Sequence, residues 1–189
     1  HVLPHLYPAS PVNAAQWRQW ALEQKEGNVV LWISVDGFFW FPRRLLGIER
    51  HLYAFYDQPG LIHRINSDLA DWILMVIAQV GAICTPDFMT FAEDMSYNNG
   101  SMLSKDLFDE FMRPYYERVM PALQDRGIIP IIDSDGDISE PAHWFEEAGL
   151  DGILPLERQA GVDIASLRAS HPRMKFIGHF DKMTMNKGE

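Results

Sequence analysis

The chain has a single cysteine, Cys84, so it can close no disulfide within itself and offers no C-x-x-C metal motif. That usage matches a reducing, cytoplasmic compartment. Basic residues are scarce: 16 Lys and Arg stand against 26 Asp and Glu, a formal net charge of -10. A nucleic-acid binder needs a basic face for the phosphate backbone, so no nucleic-acid partner is expected, and an anionic membrane surface is disfavoured on the same ground. Long apolar runs are missing too. The best stretch, Trp72 to Val80, is too short to span a bilayer and sits in an amphipathic pattern, so no membrane partner is expected. The N-terminus has neither the basic nor the apolar region of a secretory signal. The chain begins at His1 rather than Met and stops in the helix-like or loop segment Asn186 to Glu189, which reads as a fragment or a processed chain. Repeats and low-complexity tracts are absent, and 189 residues suffice to bury a core in one domain, or in a large part of one.

What is present is a rhythm. Phe88 to Asp94, Ile128 to Gly136, Gly152 to Glu157 and Lys175 to Asp181 are short apolar runs that each end in carboxylates or a histidine. A fifth run, Asn28 to Val35, precedes Asp36-Gly37. Helix-like segments separate them: Val12 to Glu26, two short ones in Pro42 to Tyr56, a long one after Asp57-Gln58-Pro59 and closed by Gly81, Ser139 to Ala148, and Asp163 to Ser170. Asp57 supplies a capping side chain and Pro59 a first-turn proline. Ser104 caps Lys105 to Asp125, which Pro114 and Pro121 should kink or divide. Asn98-Asn99-Gly100 is a turn, and His1 to Pro11, with three prolines, an irregular arm. Strand and helix in alternation give an α/β class with a parallel sheet and right-handed crossovers. Either a partial (β/α)8 TIM barrel or a complete, doubly wound open sheet satisfies the pattern.

In both, the loops after the strands share one face, so Glu93, Asp94, Asp133, Asp135, Glu157, His179 and Asp181 should converge there. Asp133 and Asp135, two apart, point the same way at a strand end. Their plainer roles are a helix cap and a solvated carboxylate. Glu93 and Asp94 are adjacent, so only one should face the site. Glu157 precedes Arg158 and Asp181 precedes Lys182, which makes local ion pairs the competing roles. His179 is a general acid, a ligand, or a packed histidine bonded to backbone. Tyr97 lines the pocket or packs. The aromatic run Phe38, Phe39, Trp40, Phe41 forms a lid or cation-binding wall, or a hydrophobic plug under a loop. Met89, Met95, Met102 and Met112 are core filler. His5, His51, His63, His143 and His171 lack ligand spacing and read as surface residues.

Several segments, in order, resemble the uroporphyrinogen decarboxylase superfamily. They are Phe38-Phe39-Trp40 through Arg43-Arg44-Leu45-Leu46-Gly47-Ile48-Glu49, Leu52 to Pro59, Glu93-Asp94-Met95-Ser96-Tyr97, Ser101 to Ser104, and Phe108 to Tyr116. Asp133-Ser134-Asp135-Gly136, Gly149 to Glu157 and Gly178-His179-Phe180-Asp181-Lys182 complete the set. The resemblance covers nearly the whole chain after Asn28. It implies a (β/α)8 barrel with its site in the mouth, of which residues 28–189 would span about the third to the seventh strand, behind an N-terminal arm and helix over 1–27. A barrel portion of this kind exposes unpaired strand edges and should be poorly soluble alone.

One branch of the superfamily decarboxylates the acetate side chains of uroporphyrinogen without a cofactor. The other moves methyl groups between corrinoids, thiols and small methylated compounds, often with zinc. The decarboxylase carries a serine where this chain has Asp94, and its arginine-rich signature has no counterpart here. The resulting acidic mouth would repel a polycarboxylate. The zinc methyltransferases carry His-x-Cys-Gly where this chain reads Asp133-Ser134-Asp135-Gly136. Two carboxylates make a harder, oxygen-rich site than thiolate and imidazole. The expectation is therefore a methyltransferase acting on a small-molecule substrate, with a corrinoid on a partner protein, or a thiol, as the other methyl carrier. Asp133 and Asp135 would bind zinc or another divalent metal, or hold a substrate cation. Glu93 or Glu157 would serve as acid-base or further ligand, with His179 and Asp181 assisting and Tyr97, Phe39 and Trp40 lining the pocket. A carboxy-lyase, a non-catalytic binding barrel and a homodimer complete the expectations.

Overall fold

Short, continuous apolar runs suit parallel strands that are buried on both faces. In the computed structural model, which describes residues 3–187, five such strands form one parallel sheet. In chain order the elements are α1 (Leu3–Leu6), α2 (Ala14–Lys25), β1 (Trp32–Asp36), α3 (Trp40–Leu46), α4 (Ile48–Asp57), α5 (Pro59–Gly81) and β2 (Phe88–Ala92). There follow β3 (Ser96–Tyr97), β4 (Gly100–Ser101), α6 (Lys105–Phe111), α7 (Arg113–Gln124), β5 (Ile129–Asp133), α8 (Pro141–Glu147), β6 (Gly152–Leu154), α9 (Ile164–Ser170) and β7 (Lys175–Phe176). A 3-10 turn over Arg158–Ala160 precedes α9, and another over Lys182–Lys187 follows β7. The sequence ends His1-Val2 and Gly188-Glu189, parts of the expected arm and terminal segment, lie outside the described residues.

The sheet order is β1-β2-β5-β6-β7, every pair parallel. It runs in one direction and lacks the reversal that defines a doubly wound sheet. Ile33, Val35, Met89, Phe91, Ile132 and Ile153 accordingly join the helices in one core, while Trp32 and Ser34 on the opposite face of β1 are exposed. The sheet is open, with β1 and β7 as its edges, and the described residues form no closed barrel.

Several local expectations shift. The N-terminal arm contains the single turn α1. The first strand begins at Trp32 rather than Asn28, because the chain just before it is tied to a side chain: Asp87 Oδ2 accepts from Leu31 N at 2.8 Å. Asp57 is not a cap, since α4 runs through it and Gln58 alone separates α4 from α5; Pro59 does open α5. Ser104 caps α6 through Leu107 N, and the long helix divides at Met112, before Pro114, whereas Pro121 is carried within α7. The Asn98-Asn99 turn joins β3 and β4 into a hairpin.

Two histidines expected at the surface are buried. His51 lies on the inner side of α4 with Ala54 and Phe55, between the rings of Phe39 and Phe55 at 4.7 and 4.8 Å. Burial, then the nearby Arg43, pushes its pKa down to about 4, so it is neutral in the core. His171 ends α9, 5% exposed, with its Nδ1 2.7 Å from Glu146 Oε2. Helical periodicity alone did not place either ring, because both sit at helix sides or ends where the neighbouring element decides burial.

Candidate active site at the carboxyl ends of the strands

Register brings the strand ends together. Asp36, Ala92, Asp133 and Leu154 stand side by side across β1, β2, β5 and β6. Backbone pairing continues one residue further: Gly37 N donates to Ala92 O at 2.7 Å, Glu93 N to Asp133 O at 2.8 Å and Ser134 N to Leu154 O at 3.0 Å. The loops that follow therefore leave from one edge of the sheet.

The adjacent acids Glu93 and Asp94 part ways. Glu93 is fully buried and turns toward the start of α3. Its Oε1 accepts from Phe38 N at 2.8 Å and from the Tyr116 hydroxyl, and its Oε2 accepts from Phe39 N and Trp40 N at 2.8 and 3.1 Å. The carboxylate occupies the space a side chain at residue 37 would need: a Cβ on Gly37 would lie 2.2 Å from Glu93 Cδ. Burial raises the Glu93 pKa to about 7, against the opposing pull of these four hydrogen bonds. Tyr116, 0% exposed, is raised well above its ordinary value by burial and by the Glu93 charge.

Asp94 stands instead with Asp133 and Asp135. Its backbone takes a positive φ of 37°, its Oδ1 accepts from Asp135 N at 3.2 Å, and its carbonyl accepts from Arg43 at 3.0 Å. Asp133, half-buried, has its pKa raised to about 6 by desolvation first, then by the charges of Asp94 and Asp135. Asp135 is raised as well, by desolvation, then by Glu157 and Asp94, with Lys182 opposing. The three aspartates thus form an under-compensated negative cluster.

Glu157 and Lys182 bound that cluster on one side. They pair directly, and Glu157 Oε2 also accepts from Gly136 N at 2.9 Å, so the Glu157 carboxyl is held below its usual value. Neither expected local pair forms: Glu157 takes Lys182 rather than Arg158, and Asp181 accepts from Gln159 Nε2 at 2.9 Å and from Met183 N at 3.0 Å. Gly136, at φ 85°, lets the β3–β4 hairpin press onto this loop, since a Cβ there would meet the Ser96 carbonyl carbon at 2.8 Å. On the opposite side Arg44 pairs with Asp36.

The remaining expected residues are placed as follows. Tyr97 is 49% exposed on the hairpin, and its carbonyl accepts from Asp137 N at 2.9 Å. Phe39 is fully buried against His51, as a plug rather than a wall. Trp40 is half-buried, and Arg43 stacks over its ring at 4.6 Å. His179 donates through Nε2 to Val162 O at 2.9 Å. Among the described residues the non-glycine positions with positive φ, Asp94, Leu156 and His179, lie just after β2, β6 and β7. Strained backbone of this kind concentrates at functional sites. Arg43 and Tyr116 carry no role in the sequence reading, and Lys182 enters it only as a local partner for Asp181. Lys182 carried a signal, an isolated cation beside the last strand-end acid.

For metal binding, ligand atoms must converge. Among the described residues the one His, Cys, Asp and Glu trio whose ligand atoms lie within 4.8 Å of one another is His143, Glu146 and His171, away from these strand ends. With His179 committed to a carbonyl and no thiolate nearby, the Asp133 and Asp135 pair does not fit a zinc centre.

No family profile matches the chain, and no curated protein matches it. Among solved structures it is similar to a methyltransferase from Methanosarcina mazei, with a TM-score of 0.67 over 87% of this chain and 11% sequence identity. The matched region is 47% of that structure's length, so the chain spans about half of it. This likeness shows a shared α/β fold with a parallel sheet. No helix among the described residues is long and apolar enough to cross a membrane.

Proposed function

We propose that this chain carries part of the site of a methyltransferase-like enzyme, built on a (β/α)8 barrel of the uroporphyrinogen decarboxylase type. In this reading Asp94, Asp133 and Asp135 hold a small, positively charged, methylated substrate. The observation that supports it most is that Asp133 and Asp135 are both raised, by burial and by the negative charges beside them. Burial first, then the charges of Asp94 and Asp135, raises Asp133 to about 6, and an onium group placed among them would offset both and favour its ionised form.

A methyl group on a positively charged nitrogen or sulfur is electrophilic at carbon. Attack there breaks the carbon–heteroatom bond, and the electron pair leaves on the heteroatom. The proposed acceptor is a thiol, or a corrinoid carried on a partner protein. The chain's own residues would fix the substrate by charge, while the Glu157–Lys182 pair keeps one further carboxylate neutralised. Asp133, ionised beside the bound cation, would accept the proton that an attacking thiol gives up and pass it to a departing amine; a departing thioether takes up none. Glu93 would act as a positioning residue, setting the start of α3 beneath Trp40. No step is assigned to a metal at Asp133 and Asp135. A carboxy-lyase acting on an anionic substrate fits the acidic cluster poorly.

The test is turnover of small methylated ammonium and sulfonium compounds, with free thiol or reduced corrinoid as acceptor, by the wild type and by Asp133→Asn and Asp135→Asn. The proposal expects losses of about 100-fold or more with circular dichroism unchanged. Unchanged turnover would overturn it. Cation binding without any turnover in the wild type would leave a binding barrel in its place.

A further inference from the structure

A second cluster of donors lies in the helical layer, outside the strand-end site. His143 and Glu146 are three apart on α8 and so share a face of that helix. His171, at the end of α9, meets them there. One ligand atom from each of the three lies within 4.8 Å of the others, and the two imidazole rings are 6.1 Å apart. We propose that His143, Glu146 and His171 form a binding site for a divalent transition-metal ion of the zinc type, clamping α8 to the end of α9.

The donor chemistry selects the ion. Two imidazoles and one carboxylate match the first-row metals that favour nitrogen with oxygen, and three protein ligands leave a position for water. The side chains are not equivalent surface groups. His171 is 5% exposed, and its position is set by backbone: its N–H donates to Leu167 O at 2.8 Å and its carbonyl accepts from Arg168 at 3.4 Å. Its Nδ1 already faces Glu146 Oε2 at 2.7 Å. A proton holds that pair together, and a metal ion would replace it, as metal binding to histidine and carboxylate releases protons. His143 supplies the exposed, adjustable arm, with its side chain 63% accessible. In the free protein its Nε2 rests on Glu147 Oε1 at 3.1 Å, while Lys105 and Arg113 hold the other oxygen of Glu147. Glu147 thus stays charge-balanced when His143 swings to the metal.

The experiment titrates zinc or cobalt into chelator-treated, full-length protein, by calorimetry and by the visible absorbance of bound cobalt. The expected result is one saturable equivalent of metal and a rise in Tm. His143→Ala, at an exposed position that does not disturb the core, should weaken binding more than about 100-fold, the upper end of what loss of a merely supporting partner causes. Asp133→Asn with Asp135→Asn should leave binding intact. His171→Gln serves as a second ligand variant, with circular dichroism confirming the fold. Absence of a saturable equivalent, or equal affinity in His143→Ala, would overturn the site. Loss of binding in the double aspartate variant instead would place the metal at the strand ends and also overturn it.

Discussion

Replacing Glu93 by Gln isolates the balance between burial and hydrogen bonding that organises the start of α3. The buried carboxyl is raised from an ordinary 4.5 to about 7. An acid whose folded pKa exceeds its unfolded pKa binds more protons when folded, so it costs stability as pH rises through that window. Applied to these two values, linkage gives a loss of about 2.5 kcal/mol between about pH 5 and pH 8. Glutamine cannot titrate, so Glu93→Gln should lose this component. The amide has a cost of its own. With its oxygen serving Phe39 and Trp40, its NH2 faces the Phe38 N–H, while the Tyr116 hydroxyl can turn to accept. One orphaned buried donor costs about 1–3 kcal/mol. Urea unfolding should therefore find the variant less stable than wild type at about pH 5 and the two nearly equal, or reversed, at about pH 8. Asp133 titrates in both proteins and cancels in the comparison. Parallel stability profiles would refute the reasoning and mean that the four hydrogen bonds outweigh burial and keep Glu93 ionised throughout.

Gly37→Ala should be among the most damaging single-methyl changes in the protein, because its Cβ would lie 2.2 Å from Glu93 Cδ and would evict the carboxylate. Thermal unfolding should show a loss of about 3 kcal/mol or more, and a change within about 0.5 kcal/mol would contradict the packing described. Lys182→Met removes the cation that lowers Glu157 and moderates Asp135. Carboxyl-carbon NMR titration should then find both groups moved upward. A Glu157 that stays low would mean that the Gly136 N–H alone holds it down.

Much of the sheet could be read from the chain, because parallel strands buried against helices are continuous apolar runs and each here stops at an acid or histidine. The division at Met112, two residues before Pro114, was legible because a proline favours the first turn of a new helix, whereas Pro121 is carried within α7. The direction of Glu93 was not. Two adjacent acids at a strand end look alike in sequence, and only the three backbone N–H groups at the start of α3 decide which one turns inward. The pairing of Glu157 with Lys182 across 25 residues was hidden by a nearer cation, Arg158. His171 and Glu146 likewise meet through the packing of α8 against the end of α9, which no spacing within either helix encodes.

If the strand-end aspartates hold a cation as proposed, its binding must release protons from Asp133. A small methylated ammonium compound is titrated into the protein by calorimetry near pH 6, in two buffers of different ionisation enthalpy. Asp133, raised to about 6, is roughly half protonated there, and a bound cation should drive off about half a proton per site. Asp133→Asn should abolish that release and weaken binding. Binding with no net proton release, or with release unchanged in the variant, would rule out a cation held at Asp133.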